Sequence, residues 1–215
     1  MKRFLENVLP QSWVDRYKDS QNKQAGPNRQ KWEKAGRPLP PPHTVKQEAI
    51  QEYQKKSGYK VLVETGTYKG DMIFAQRNVF KKIYSIELSS FLYRKAIKRF
   101  KNNPAVQLLQ GNSGEVIAGV LNELKEPAIF WLDGHYSGGI TATSDKHSPV
   151  NEELEALIAN NTLQHIILID DARVFTGENG YPTIGQAKQL AIARFPGYDF
   201  SVDEDIIRLV PERFR

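Results

Sequence analysis

The sequence predicts an α/β fold, a mostly parallel sheet with helices on both faces and an antiparallel hairpin at its C-terminal end. Three observations predict it. Short β-rich runs alternate with amphipathic helical segments through most of the 215 residues. Most of those runs are continuously apolar, the pattern of strands covered on both faces. Strand–helix alternation of this kind gives parallel strands joined by right-handed crossovers, the doubly wound arrangement.

The elements follow in order. Residues 1–43 form a basic, Pro-rich extension. Phe4, Leu5, Val8, Leu9, Trp13, Val14 and Tyr17 recur at roughly helical spacing, and Pro38-Leu39-Pro40-Pro41-Pro42 is a stiff spacer. The main domain is assigned to residues 44–215. Thr44 is positioned to cap a helix running to about Lys56. Strands are expected at Val61–Val63, Ile83–Ile86, Val106–Leu109, Ile129–Leu132 and Ile166–Ile169. Helices are expected near 70–79, 89–100, 114–125, 150–160 and 184–194. Tyr198–Val202 and Ile206–Val210 flank Asp203-Glu204-Asp205 and predict the closing hairpin.

Composition narrows the function. The absence of Cys excludes disulfides, Cys-ligated metal centres and thiol catalysis. No apolar stretch is long enough to span a membrane, and Phe4–Leu9 is too short and mixed for a signal-peptide core, so a cytoplasmic protein is expected. The formal charge is +5. Residues 1–43 hold nine basic and four acidic side chains, whereas 44–215 hold 21 of each. The surplus therefore belongs to the extension, and no specific nucleic-acid partner is expected of the main domain. The extension fits a homodimer arm, or a contact with an anionic partner.

In an open parallel sheet, ligands bind beyond the carboxyl ends of the strands. Polar, charged or glycine residues stand there after all five parallel strands. The first turn, Glu64-Thr65-Gly66-Thr67-Tyr68-Lys69-Gly70-Asp71, has a Gly-x-x-x-Gly pair in place of the three-glycine dinucleotide fingerprint. Gly66 allows close backbone approach, and Gly70 lets the next helix start tight against the sheet. An acid at this turn disfavours a pyrophosphate and suits a ligand carrying an ammonium. Glu87, 21 residues after Gly66, stands where an acid accepts ribose hydroxyls. Asn112 and Ser113 fit either an adenine edge or turn chemistry before a helix. Asp133, Asp170 and Asp171 end neighbouring strands. Three converging carboxylates repel one another unless a positive group sits between them, and a hard divalent cation such as Mg²⁺ suits oxygen donors. His135, two residues past Asp133, is placed as a general base. Arg173 either holds an anionic substrate or pairs with one of the acids. His43, His147 and His165 have no such context, and His165 reads as structural. The long connections Gly134–Pro149 and Asp171–Thr183 are candidate substrate-selecting loops.

These residues resemble a class I S-adenosylmethionine-dependent methyltransferase. Glu64–Gly70 resembles that family's first motif, Glu87 its ribose acid and Gly111-Asn112-Ser113 its adenine-side turn, over about residues 58–210. Trp131-Leu132-Asp133-Gly134-His135-Tyr136, with Ile167–Asp171, is similar to the metal-dependent O-methyltransferases related to catechol and macrocin O-methyltransferases. The resemblance implies a Rossmann-like seven-stranded sheet with its last strand antiparallel. It implies S-adenosyl-L-methionine bound by Glu64, Gly66, Thr67, Gly70, Glu87, Asn112, Ser113 and Asp133. It also implies Asp133, Asp170 and Asp171 as cation ligands, with a small-molecule or saccharide hydroxyl as acceptor near Tyr136 and Arg173. The catechol branch carries Asn where Asp171 stands, so the macrocin-like pattern fits better. The Asn/Asp-Pro-Pro-aromatic motif of many amino-group methyltransferases is absent, which argues against methylation of bases or amines. Two other readings remain: a nicotinamide-dependent oxidoreductase of the same architecture, and a binding module acting through the basic arm.

Overall fold

The computed structural model describes residues 25–133 and 149–215. The helical periodicity of Phe4–Tyr17, and the positions of His135, Tyr136 and His147, lie outside the described residues. Seven helices, numbered here in chain order among the described residues, surround one sheet: α1 (Ala25–Lys34), α2 (His43–Ser57), α3 (Asp71–Gln76), α4 (Ser90–Phe100), α5 (Ser113–Glu123), α6 (Val150–Ala159) and α7 (Ile184–Arg194). The strands are β1 (Val61–Thr65), β2 (Lys82–Glu87), β3 (Val106–Gln110), β4 (Ala128–Leu132), β5 (Ile166–Ile169), β6 (Tyr198–Asp203) and β7 (Ile206–Pro211).

The sheet has seven strands in the order β3-β2-β1-β4-β5-β7-β6. The first five are parallel, while β7 runs antiparallel to both β5 and β6. The doubly wound, mostly parallel architecture is therefore as expected. The continuous apolar runs of β1, β4 and β5 are buried throughout because a core lies on each face. One core joins Val63, Phe130 and Ile167 to α5, α6 and α7. The other joins Leu62, Trp131 and Leu168 to α2, α3 and α4. At the edge, β3 is half-buried, since it lacks a neighbour on one side.

One local expectation needs correction. Thr44 does not cap α2: the helix starts at His43 with Pro42 in the cap position, and the buried Thr44 hydroxyl has no partner among the described residues. A proline just before a helix supplies an extended entry without a side-chain cap. In the connection after Asp171 a short 3₁₀ turn spans Ala172–Val174, and Thr176 bridges Thr183.

The segment that precedes α2 packs against α2 and the β6–β7 turn. Trp32 is 5% exposed, donates its indole N–H to the Pro38 carbonyl and lies under the Arg37 guanidinium. Arg29 bonds Glu48 of α2 and Glu204 of the β6–β7 turn. Arg37 reaches Asp203 at 3.0 Å. That turn places Glu204 and Asp205 both at positive φ, the twist that suits a two-residue hairpin connection.

Candidate functional site

Sheet register assembles the site. Thr65, Leu132 and Ile169 are aligned across β1, β4 and β5, so the residues just beyond them share one level. The strand order turns back between β1 and its parallel neighbour β4, the switch point where open α/β sheets form a crevice. The Asp133 N–H donates to both the carbonyl and the hydroxyl of Thr65 at 3.2 Å, and the Asp170 N–H to the Leu132 carbonyl at 3.0 Å. Asp171 takes the left-handed conformation at φ 57°, which Asp and Asn tolerate better than most residues. Its N–H turns back to Asp170 Oδ1 at 2.8 Å.

The structure brings the three aspartates together, with a donor oxygen from each within 4.8 Å of the others. A cation of the chain's own stands among them. Lys46, in the first turn of α2, places Nζ 2.5 Å from Asp170 Oδ2 and 3.1 Å from Asp171 Oδ1. Arg173 donates to Asp171 Oδ1 at 2.7 Å and also bonds Asp205, so it pairs with the acids rather than standing clear of them. Burial, reinforced by the charge of Asp133, pushes Asp170 up to about 8 against the pull of Lys46. Burial draws the Lys46 ammonium down, but the charges of Asp170, Asp171 and Asp133 offset it and its pKa lies above the ordinary value. Three carboxylates thus face two cations, one of them shared with Asp205. That surplus of negative charge and all-oxygen donor set fit a hard divalent cation.

Beside this cluster lies the β1 turn. Gly66, Tyr68 and Gly70 all have positive φ, curling the turn over the end of β1. A Cβ on Gly70 would come within 2.6 Å of the Phe100 ring, so glycine is required for the close approach of α4. The turn's N–H groups are largely consumed internally: those of Gly66 and Thr67 reach the Ile86 carbonyl, and that of Gly70 the Thr67 carbonyl. What the turn offers is acid. Glu64 is 2% exposed, accepts from Ser85, and is held well above the ordinary carboxylate range by burial and by the charges of Asp133, Glu87 and Asp71. Thr67 bonds Ser85 at 2.6 Å, completing the support beneath the turn. Glu87 accepts from the backbone N–H groups of Tyr68 at 2.7 Å and Ser89 at 2.8 Å, which fixes both its oxygens at the crevice. Burial raises its pKa as well. This donor set fits a ligand with positive charge and ribose hydroxyls, as S-adenosylmethionine has.

Asn112 caps α5, its side-chain oxygen accepting from the Gly114 N–H at 3.2 Å, and Ser113 serves a buried acid. That acid is Glu153 of α6, 1% exposed, which accepts from the hydroxyls of Ser113 and Thr65. With Thr65 donating to Glu153, its oxygen is oriented to receive the Asp133 N–H. Burial pushes Glu153 up to about 7.

Lys46 and Glu153 escape sequence reasoning. Each sits in an amphipathic helix among other charged residues. A signal for Lys46 exists: α2 runs into β1 through a short turn, so its first turn must lie level with the carboxyl ends of the strands. His165 is structural, as expected. It is buried, accepts from the Ala128 N–H at 3.1 Å, and is held down to about 4 by burial.

No protein-family model matches the sequence, and no curated protein matches it. Solved structures match the fold. An O-methyltransferase from Bacillus cereus, solved with S-adenosylhomocysteine, has 16% identity and a TM-score of 0.59, covering 97% of this chain and 96% of its own. The O-methyltransferase TomG from Streptomyces achromogenes, solved with S-adenosylmethionine, has 12% identity and a TM-score of 0.56, covering 88% of this chain and 86% of its own. The methyltransferase PaMTH1 from Podospora anserina, bound to S-adenosylhomocysteine, has 16% identity and a TM-score of 0.54, covering 78% of each chain. The chain has the fold of class I S-adenosylmethionine-dependent methyltransferases.

Proposed function

We propose that this protein is an S-adenosylmethionine-dependent O-methyltransferase that transfers a methyl group to a hydroxyl of a small molecule or sugar, assisted by a divalent cation such as Mg²⁺. The observation that carries the reading is the convergence of Asp133, Asp170 and Asp171 beside the acid-lined β1 turn. Glu87 is the residue for the ribose hydroxyls. Asp133 brings a carboxylate to the crevice, which suits a cationic ligand, and the buried Glu64 lies beneath the turn as an acceptor and donor of hydrogen bonds. Asn112 and Ser113 border the adenine side, and Gly66, Thr67 and Gly70 shape the turn.

S-Adenosylmethionine, when bound, supplies an electrophilic methyl on sulfur. The chain's task is then to align an acceptor oxygen and remove its proton. Positioning of well-oriented reactants supplies up to about 7–11 kcal/mol of barrier lowering. A divalent cation held by Asp133, Asp170 and Asp171 would lower the acceptor pKa and orient it, best for neighbouring hydroxyls that chelate. His135 is the proposed base for the acceptor proton, and Tyr136 and Arg173 the proposed acceptor-side contacts.

Asp170→Ala tests this reading. It should abolish divalent-dependent transfer to vicinal-diol or catechol acceptors while leaving S-adenosylhomocysteine binding within about threefold of wild type, as expected where cofactor and cation sites are separate. Full activity of that variant in the presence of a chelator would contradict the cation's role.

A further inference from the structure

The acid trio holds a cation that belongs to the protein. Lys46 is 13% exposed, and its Nζ lies 2.5 Å from Asp170 Oδ2 and 3.1 Å from Asp171 Oδ1. The oxygens involved decide what else can bind. Asp170 Oδ1 already accepts the Asp171 N–H, so Oδ2 is the oxygen it can turn to a cation, and Lys46 holds that one. Asp171 Oδ1 is shared between Lys46 and Arg173. The donor atoms lie within 4.8 Å of one another, and a hard divalent ion sits about 2.0–2.6 Å from each ligand oxygen. The gap is therefore one cation wide. An ion placed there would touch the oxygen that the ammonium touches, and two positive charges at that separation in a part-buried site repel strongly.

We propose that the Lys46 ammonium and a divalent cation are alternative occupants of one position, and that the ion binds only by displacing Lys46. This rests on the cation-site reading given above. The ammonium keeps the carboxylates neutralised and the strand ends ordered when no ion is bound. When an ion enters, the four-carbon stem of Lys46 swings its head toward solvent, which is within reach because α2 begins at this edge. Lys46 thereby sets the affinity of the site and keeps it loose.

The test is binding of Mn²⁺ alone to the full chain, without cofactor, followed by the paramagnetic resonance of free Mn²⁺. Lys46→Met removes the competitor and keeps the stem, so Mn²⁺ should bind on the order of tenfold tighter, the change expected from losing one close charge. Lys46→Arg keeps the charge and should bind no tighter than wild type. In the wild type, Mg²⁺ should shift the ε-methylene signal of Lys46 in step with saturation, a readout that needs no variant to fold. If Lys46→Met binds Mn²⁺ no tighter than wild type, or the Lys46 signal stays fixed while Mg²⁺ saturates, the exchange is overturned and the cation site stands. If neither protein binds Mn²⁺, the exchange and the cation-site reading fall together.

Discussion

Glu153 has an ionisable group where the fold offers it two hydroxyls and no cation, and its Oε1 has no partner among the described residues. Burial raises it from the ordinary 4.5 to about 7. Below the lower value both folded and unfolded chains hold the proton, and above the higher value neither does. Between them the folded chain binds more protons, so this group's contribution to stability falls as pH rises from 4.5 to about 7, by roughly 3 kcal/mol. His165 works the other way. Its pKa drops from 6.5 to about 4, so stability is lost as pH falls through that window. The two slopes oppose each other over most of their range. Glu153→Gln should therefore stabilise by about 1–3 kcal/mol at pH 8, change little at pH 4, and uncover the rising His165 limb between them in urea unfolding. No gain at pH 8 would mean that ionised Glu153 is paired after all. At this scale the sequence was only partly legible. Asp133, Asp170 and Asp171 could be read because they end apolar runs. Lys46 was legible only as to its level, through the short α2–β1 connection, because an ammonium on a helix surface looks the same whether it meets water or a carboxylate on another element.

Among elements, the β1 turn and α4 are locked by one contact. Gly70 has φ 74°, and an added Cβ would press on Phe100. Gly70→Ala should cost roughly 2–4 kcal/mol in thermal unfolding, combining left-handed strain with overpacking. Adding Phe100→Leu should return the steric part and leave the conformational part, so the double variant should be more stable than the sum of the two single changes. Equal additivity would mean that the turn moves away from α4 without cost. Element boundaries were legible where burial is continuous: β5 runs over Ile166–Ile169 as its apolar run does. The start of α2 was not, because Thr44 is a good cap by type and yet stands inside a helix whose entry Pro42, two residues earlier, already sets. In the 171–183 connection, Gly177 and Gly180 serve turns at positive φ.

Across the whole molecule, the +5 arm is partly spent on the fold. Arg29 and Arg37 tie residues 25–43 to Glu48, Asp203 and Glu204, and Arg208 meets Glu204 from β7 at 3.0 Å. The adjoining Asp205 holds Arg173, which holds Asp171, so the β6–β7 turn carries one group of ion pairs toward α1 and a second toward the acid trio. Deleting residues 1–43 should therefore destabilise the domain by roughly 3 kcal/mol or more, the scale of losing a buried Trp with its neighbours. Deleting only residues 1–24 leaves those contacts in place. Equal melting temperatures for the two truncations would show that α1 contributes nothing. The arm's charge was legible from composition, but its destination was not, because ion pairs between residues 29 and 204 leave no local pattern. S-Adenosylmethionine is the cofactor proposed for the crevice. Calorimetric titration of the full chain with S-adenosylhomocysteine and, separately, with NAD tests it most directly. One S-adenosylhomocysteine per chain, weakened on the order of tenfold or more by Glu87→Ala, with no heat from NAD, is the predicted result. Binding of NAD with none of S-adenosylhomocysteine would contradict it.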